Sequence, residues 1–129
     1  MSKKKILVVD DELDFLTIVK LNLERTGKYE VLTLSDPKEI LSKVGSFRPD
    51  VILLDLVMPG IGGIEVCDML NQDPFGKTIP IIIFSALDRD EDKNRAYKKG
   101  VVGYLAKPMD QEGLIVKIEK ALQPKQENN

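Results

Sequence analysis

Val51-Ile52-Leu53-Leu54-Asp55-Leu56-Val57-Met58-Pro59-Gly60 runs four apolar residues into a carboxylate and then a Pro/Gly turn, with Gly62-Gly63 close behind. A continuous apolar run of this length suits a strand covered on both faces, as in a parallel sheet. The aspartate that closes it then sits at a mouth rather than in a core. The chain repeats the arrangement. Ile6-Leu7-Val8-Val9 ends in Asp10-Asp11, Ile81-Ile82-Ile83-Phe84 ends in Ser85, and Tyr104-Leu105-Ala106 ends in Lys107-Pro108. Parallel strands in one sheet bring these acids, hydroxyl and ammonium to a single edge, where open α/β sheets bind ligands.

Helical patterns fill the gaps between the apolar runs, the rhythm of βα units. Strands are expected at 5–9, 29–34, 51–54, 79–84 and 102–106. A first helix runs from Asp11 or Glu12 to Thr26, with Leu16, Val19 and Leu23 in its apolar stripe, widened by Phe15 and Ile18, and Gly27 at its C′ position. Ser35-Asp36-Pro37 caps a second helix, which carries Ile40, Leu41 and Val44 and stops at Gly45. Further helices are expected at 63–71, 88–99 and 110–122, with a loop at 73–76. The helix at 88–99 is poor in apolar residues, chiefly Ala96 and Tyr97, whereas the last one has the stripe Leu114, Ile118 and Leu122. Right-handed crossovers place helices on both faces, giving a doubly wound, three-layer αβα sandwich. The expected organisation is a basic leader at 1–4, one domain at 5–122 and a polar, frayed tail at 123–129.

Composition narrows the function classes. The 129 residues are 43% hydrophobic and 31% charged, as in one globular domain with a real core. Nineteen basic and 21 acidic residues give a net charge of −2, which argues against direct nucleic-acid or membrane binding. Lys3-Lys4-Lys5 reads as a solvated leader. Cys67 is the single cysteine, read as a small buried hydrophobe, so no internal disulfide forms and a reducing, cytoplasmic setting is expected. The absence of histidine removes His-based catalysis and ligation. No signal-peptide pattern or membrane-length apolar run is present.

In a doubly wound sheet of order 2-1-3-4-5, the first and third strands adjoin at the switch point. Asp10, Asp11 and Asp55 then crowd together, and their mutual repulsion calls for a cation. Mg²⁺ suits such a site, since it takes one or two carboxylates together with waters and phosphate oxygens. Lys107 would supply an ammonium on the opposite side of Asp55 and Ser85 a hydroxyl between them, both suited to phosphate oxygens. Asp55 can itself be the nucleophile, giving an aspartyl phosphate. Taken singly, Asp10-Asp11 could be a helix cap, Asp55 a turn starter and Lys107-Pro108 a loop. Those separate readings do not explain why all of them fall at strand ends in βα order.

From Lys5 to about Leu122 the chain resembles the receiver domains of two-component response regulators, the family of the bacterial chemotaxis response regulator. The resemblance rests on Val8-Val9-Asp10-Asp11-Glu12, on Asp55-Leu56-Val57-Met58-Pro59-Gly60 with Gly63, on Phe84-Ser85-Ala86, and on Tyr104-Leu105-Ala106-Lys107-Pro108. It implies a flavodoxin-like (βα)5 fold and Asp55 as phosphoacceptor. It implies Mg²⁺ held by Asp11, Asp55 and the backbone carbonyl of Val57, with Asp10 acting mainly through water. Ser85 and Lys107 would contact the phosphoryl group, Tyr104 would reorient on activation, and a cis Lys107–Pro108 bond would aim Lys107 into the site. The donor would be a histidine kinase or phosphotransfer protein. The output would pass through the face around the fourth helix, fifth strand and last helix to a downstream protein or an effector domain missing from this chain.

Two departures stand out. Val101-Val102-Gly103 replaces a more acidic run before Tyr104, making that surface more apolar, and Val57 and Leu87 are apolar beside the phosphoryl position. Three rival readings are weaker. A Mg²⁺-dependent aspartate-nucleophile phosphatase usually has an acid two residues after the nucleophile, where this chain has Val57. A receiver-like scaffold that is never phosphorylated would have lost part of the acid–hydroxyl–lysine set. A flavodoxin-like cofactor binder wants a Ser/Thr/Gly-rich loop where this chain has Asp10-Asp11-Glu12.

Overall fold

A computed structural model describes residues 2–108 and 110–123. In chain order the elements are β1 (Lys4–Val9), α1 (Leu13–Arg25), β2 (Tyr29–Leu34), α2 (Ile40–Phe47), β3 (Val51–Leu54), α3 (Gly63–Gln72), β4 (Ile81–Ser85), α4 (Asp90–Lys98), β5 (Gly103–Ala106) and α5 (Gln111–Leu122). Short 3₁₀ turns at Pro37–Glu39 and Gly76–Thr78 precede α2 and β4. The five strands form one sheet, β2-β1-β3-β4-β5, with every neighbouring pair parallel. This is the doubly wound order expected from the sequence.

Strand alternation sorts the core into two layers. Leu7, Val9, Ile52, Leu54, Ile81 and Ile83 pack with α2 and α3, and with Ala96 of α4. Ile6, Val8, Val51, Leu53, Ile82 and Phe84 pack with Leu16, Val19 and Leu23 of α1 and with Leu114 and Ile118 of α5. Every residue of β3 is buried, as its unbroken apolar run requires. Cys67 is buried in the first layer, and burial pushes its thiol up to about 11, so it serves as a small hydrophobe.

Several local expectations are corrected. β1 begins at Lys4, inside the segment read as a leader, and Lys5 is half-buried: its N–H donates to Asp50 Oδ2 and its Nζ to the Phe47 carbonyl. Ile18 is exposed, so it does not widen the α1 stripe, whereas Phe15 does pack on the core. The second helix does not stop at Gly45, because Arg48 takes the left-handed conformation (φ 54°) and terminates α2 instead. Asp36 caps the 3₁₀ turn rather than an α-helix, accepting from the Lys38 N–H. β4 starts at Ile81, the loop at Asp73 runs into a 3₁₀ turn, and Tyr97 of α4 is exposed. Of the apolar run before Tyr104 only Val102 reaches the surface, since Val101 and Gly103 are buried. The tail from Pro124 lies outside the described residues.

Gly63 fixes the approach of α3 to the sheet edge. Its N–H donates to the Leu56 carbonyl, and a Cβ there would collide with the Asp55 carbonyl oxygen and lie 2.7 Å from Leu56 Cα. Gly63→Ala is expected to destabilise the fold by about 1–3 kcal/mol, the usual cost of overpacking, as read by urea unfolding.

Candidate functional site

The register carries the polar residues to one edge. Val9 pairs with Leu54, so Asp10 and Asp55 emerge side by side from the central strands. The Asp10 N–H donates to the Leu34 carbonyl and the Asp55 N–H to the Val9 carbonyl, extending both ladders by one residue. Ser85 ends β4 opposite Ala106, and the Lys107 N–H donates to the Ser85 carbonyl. The Lys107–Pro108 peptide is cis.

Carboxylate oxygens of Asp10, Asp11 and Asp55 lie within 4.8 Å of one another. Asp10 and Asp55 are buried, whereas Asp11 is exposed at the rim. Asp10 is oriented through Oδ1, which accepts from the Glu12 N–H at 2.9 Å, and Asp55 Oδ1 accepts from the Val57 N–H at 3.3 Å. Lys107 closes the cluster. Its Nζ is 2.7 Å from Asp10 Oδ2, 3.6 Å from Asp55 Oδ2 and 3.7 Å from Glu12 Oε1. The sequence reading put this ammonium on the far side of Asp55 from the acids. It is instead bonded to Asp10, because a buried lysine seeks the nearest carboxylate.

Burial pushes the Asp55 carboxyl above the ordinary carboxylate range. The Lys107 charge and the Val57 N–H pull it back, and Asp10 and Asp11 push it up again. Burial opposes the charged form of Lys107, but the bond to Asp10 and the charges of Asp55, Asp10 and Glu12 outweigh it and hold the ammonium above its usual value. The site therefore keeps a cation among its acids across the neutral range.

Ser85 and Tyr104 belong to a second, connected set. The Ser85 hydroxyl oxygen accepts from the Leu87 N–H at 3.1 Å, and Tyr104 Oη donates to the Leu87 carbonyl at 2.6 Å. Both groups of the Leu87 peptide thus bind side chains that the sequence singled out. Tyr104 is already turned inward and only 8% exposed. Its phenol is shifted up, first by burial and then by Asp92 and Asp88, against the nearby Ser85 hydroxyl and the Lys93 charge. Val57 is more than half exposed and Leu87 half-buried, and both line a cleft of about 350 Å³ with Met58, Glu65, Asp92 and Arg95.

Asp92 and the contact of Lys107 with Phe15 and Phe84 escaped the sequence reading. Asp92 of α4 is buried, lines the same cleft, and pairs with Arg89 at 3.1 Å. Phe15 and Phe84 lie under the Lys107 ammonium. Asp92 lies within a helix rather than at a strand end, and the ring contacts join elements far apart in sequence.

Parallel βα topology with three acids, a hydroxyl and a lysine on the C-terminal edge defines a phosphoryl-transfer site of the receiver type. The chain belongs to the response regulator receiver domain family, which it matches over residues 6–119. It is 44% identical over 105 residues to the alkaline phosphatase synthesis transcriptional regulatory protein PhoP of Bacillus subtilis, covering 81% of this chain and 42% of that protein. It is 37% identical over 125 residues to response regulator ArlR of Staphylococcus saprophyticus, covering 97% of this chain and 55% of that one. The chain thus spans about half the length of these curated relatives. Chemotaxis protein CheY4 of Vibrio cholerae shares the fold with a TM-score of 0.88 and 31% identity, over 94% of this chain and all of that one. The protein is accordingly a receiver domain of two-component signal transduction, a phosphorylation-activated switch. Receiver domains bind Mg²⁺ at an acidic pocket, and the three clustered carboxylates, all hard oxygen donors, fit that ion. The family also implies a histidine kinase as partner. Among the described residues no helix is long and apolar enough to cross a membrane.

Because the folded protein holds the Asp55 proton more tightly than the unfolded chain does, ionised Asp55 burdens the fold. The burden is absent below the unfolded carboxyl pKa, grows as pH rises through the folded one, and is full at neutral pH. In metal-free buffer Asp55→Asn is expected to raise Tm at pH 7, with the gain vanishing below about pH 4. Calorimetry across that range checks it.

Proposed function

We propose that Asp55 is the phosphoacceptor and that Asp10, Asp11 and the Val57 backbone carbonyl, with Asp55, form the Mg²⁺ site. Lys107 and Ser85 are the groups that meet the phosphoryl oxygens, and Tyr104 is the switch. The observation that supports this reading most is the Asp10–Asp11–Asp55 cluster with the Lys107 ammonium 3.6 Å from Asp55. One Asp55 oxygen attacks the phosphorus of a phosphohistidine on a kinase or phosphotransfer protein. The new O–P bond forms as the P–N bond breaks, and its electron pair returns to the leaving imidazole. Such transfers ask the protein mainly for positioning and charge neutralisation. Bound Mg²⁺ would neutralise phosphoryl charge on one side, and Lys107 does so on the other.

The switch follows from the Leu87 peptide. When the Ser85 hydroxyl turns toward a phosphoryl oxygen, it leaves the Leu87 N–H and changes the surroundings of Tyr104. The inward Tyr104 is one state of an equilibrium that the phosphoryl group biases, rather than a position it creates. The signal leaves through the face formed by α4, β5 and α5, to a downstream protein or to an effector domain joined to this one. Turnover as a phosphatase is disfavoured by Val57 at the position where an acid would be needed, and a non-phosphorylated scaffold by the complete acid–hydroxyl–lysine set. A cytoplasmic setting suits this chemistry.

Incubation with Mg²⁺ and acetyl phosphate should add one base-labile phosphoryl group by intact mass. Asp55→Asn should take none, and Asp11→Ala should require far more Mg²⁺. Label on Asp55→Asn that maps to another residue would defeat the assignment.

Val57 and Leu87 each stand two residues after a group of the site, Asp55 and Ser85, and would flank the approach of an in-line water to the phosphoryl group. Neither can orient that water, so a long-lived phosphoform is expected. The pair Val57→Asn and Leu87→Glu should shorten its half-life several-fold, on the order of 1 kcal/mol in barrier. Loss of label followed by mass gives the half-life directly.

A further inference from the structure

The Lys107 ammonium has neighbours that phosphoryl chemistry does not require. Its Nζ lies 4.4 Å from the centroid of the Phe15 ring and 5.2 Å from that of Phe84. The rings stack, with centroids 5.0 Å apart and planes inclined by 28°. Phe84 is fully buried in β4, and Phe15 is half-buried in the first turn of α1. Both distances fall inside the roughly 6 Å over which the negative face of an aromatic ring attracts a cation. A lysine that only covered apolar surface would lay its methylenes on the rings and send its head into water. Here the charged nitrogen itself sits by the rings, and the side chain is only 15% exposed.

We infer that Phe15 and Phe84 form an aromatic platform that positions the Lys107 ammonium beside Asp55 by cation–π attraction. The inference deepens the reading of Lys107 as the phosphoryl-binding cation and rests on it. The ion pair that holds Lys107 runs to Asp10, a carboxylate that also belongs to the acid cluster suited to a divalent cation. Positive charge gained by that cluster weakens the pull of Asp10 on the ammonium. The ring faces carry no net charge, so their hold persists while the charge around Asp55 changes. They also keep the flexible lysine stem from exploring solvent, so less ordering remains to be done when the phosphoryl group arrives.

The test replaces Phe15 with mono-, tri- and pentafluorophenylalanine, which drain negative charge from the ring face while keeping its shape. Phe84 is left alone because it also fills the core. The rate of Asp55 labelling by acetyl phosphate at saturating Mg²⁺ should fall stepwise with fluorination, on the order of fivefold for the pentafluoro ring. Lys107→Ala should be slower still. A second readout is independent of phosphorylation: the Lys107 ε-methylene protons should show an upfield ring-current shift, lost in Phe15→Leu and kept in Phe15→Tyr, which also restores the rate. A flat response to fluorination, with Lys107→Ala still slow, overturns the platform and leaves the role of Lys107 standing. Normal labelling of Lys107→Ala overturns both.

Discussion

Two buried carboxylates, delivered side by side by adjacent strands, are the constraint around which this molecule is arranged. Asp10 and Asp55 follow the paired residues Val9 and Leu54, so the hydrogen-bond register forbids them from separating. Like charges at that range are tolerable only beside a cation, and Lys107 provides one from a distant part of the chain. The sheet order matters for this reason: β5 must lie on the same side of β3 as β4 for its terminal lysine to reach the acids. A divalent metal would offset the same excess of negative charge further.

The Ser85–Leu87–Tyr104 set is built on the other face of the strands. Ser85 continues the alternation of Ile81 and Ile83, residues of the layer that contains Tyr104, whereas Asp55 continues that of Val51 and Leu53. The serine therefore stands between the two layers with its hydroxyl already engaged by Leu87. Tyr104 reaches the same residue, since its hydroxyl donates to the Leu87 carbonyl, so Ser85 and Tyr104 share Leu87 as a common partner. α4 is lightly anchored: Ala96 is its one apolar residue in the core, while Arg89–Asp92 and Lys93–Asp88 pairs tether its first turn.

The strands, their order and the converging groups were legible because buried parallel strands write themselves as apolar runs, and four of the five here end in a member of the acid–hydroxyl–lysine set. Element ends were less so. Gly45 invited a helix stop, yet tertiary packing carried α2 on to Phe47 and made Arg48 supply the left-handed turn that glycine usually supplies. Ile18 and Tyr97 fit helical stripes but face water, since a stripe gives a helix's apolar width and not the width of the surface it meets. The partner of Lys107, the inward Tyr104, the buried Asp92 and the two rings under the ammonium depend on side-chain packing between elements far apart in sequence. No local pattern encodes those contacts.

The pairing of β1 with β3 has a further consequence for how the chain matures. These strands are neighbours in space, but the whole of α1, β2 and α2 must cross over before they meet. Pairings of such sequence separation are slow to form, because loop-closure entropy is lost before contacts compensate it. The acid pair thus comes into existence only with the long-range topology of the sheet. A chain emerging from synthesis, or one locally unravelled at its centre, holds the separate aspartates but no acceptor. The acid cluster is therefore a product of the assembled sheet and of no single segment of the chain.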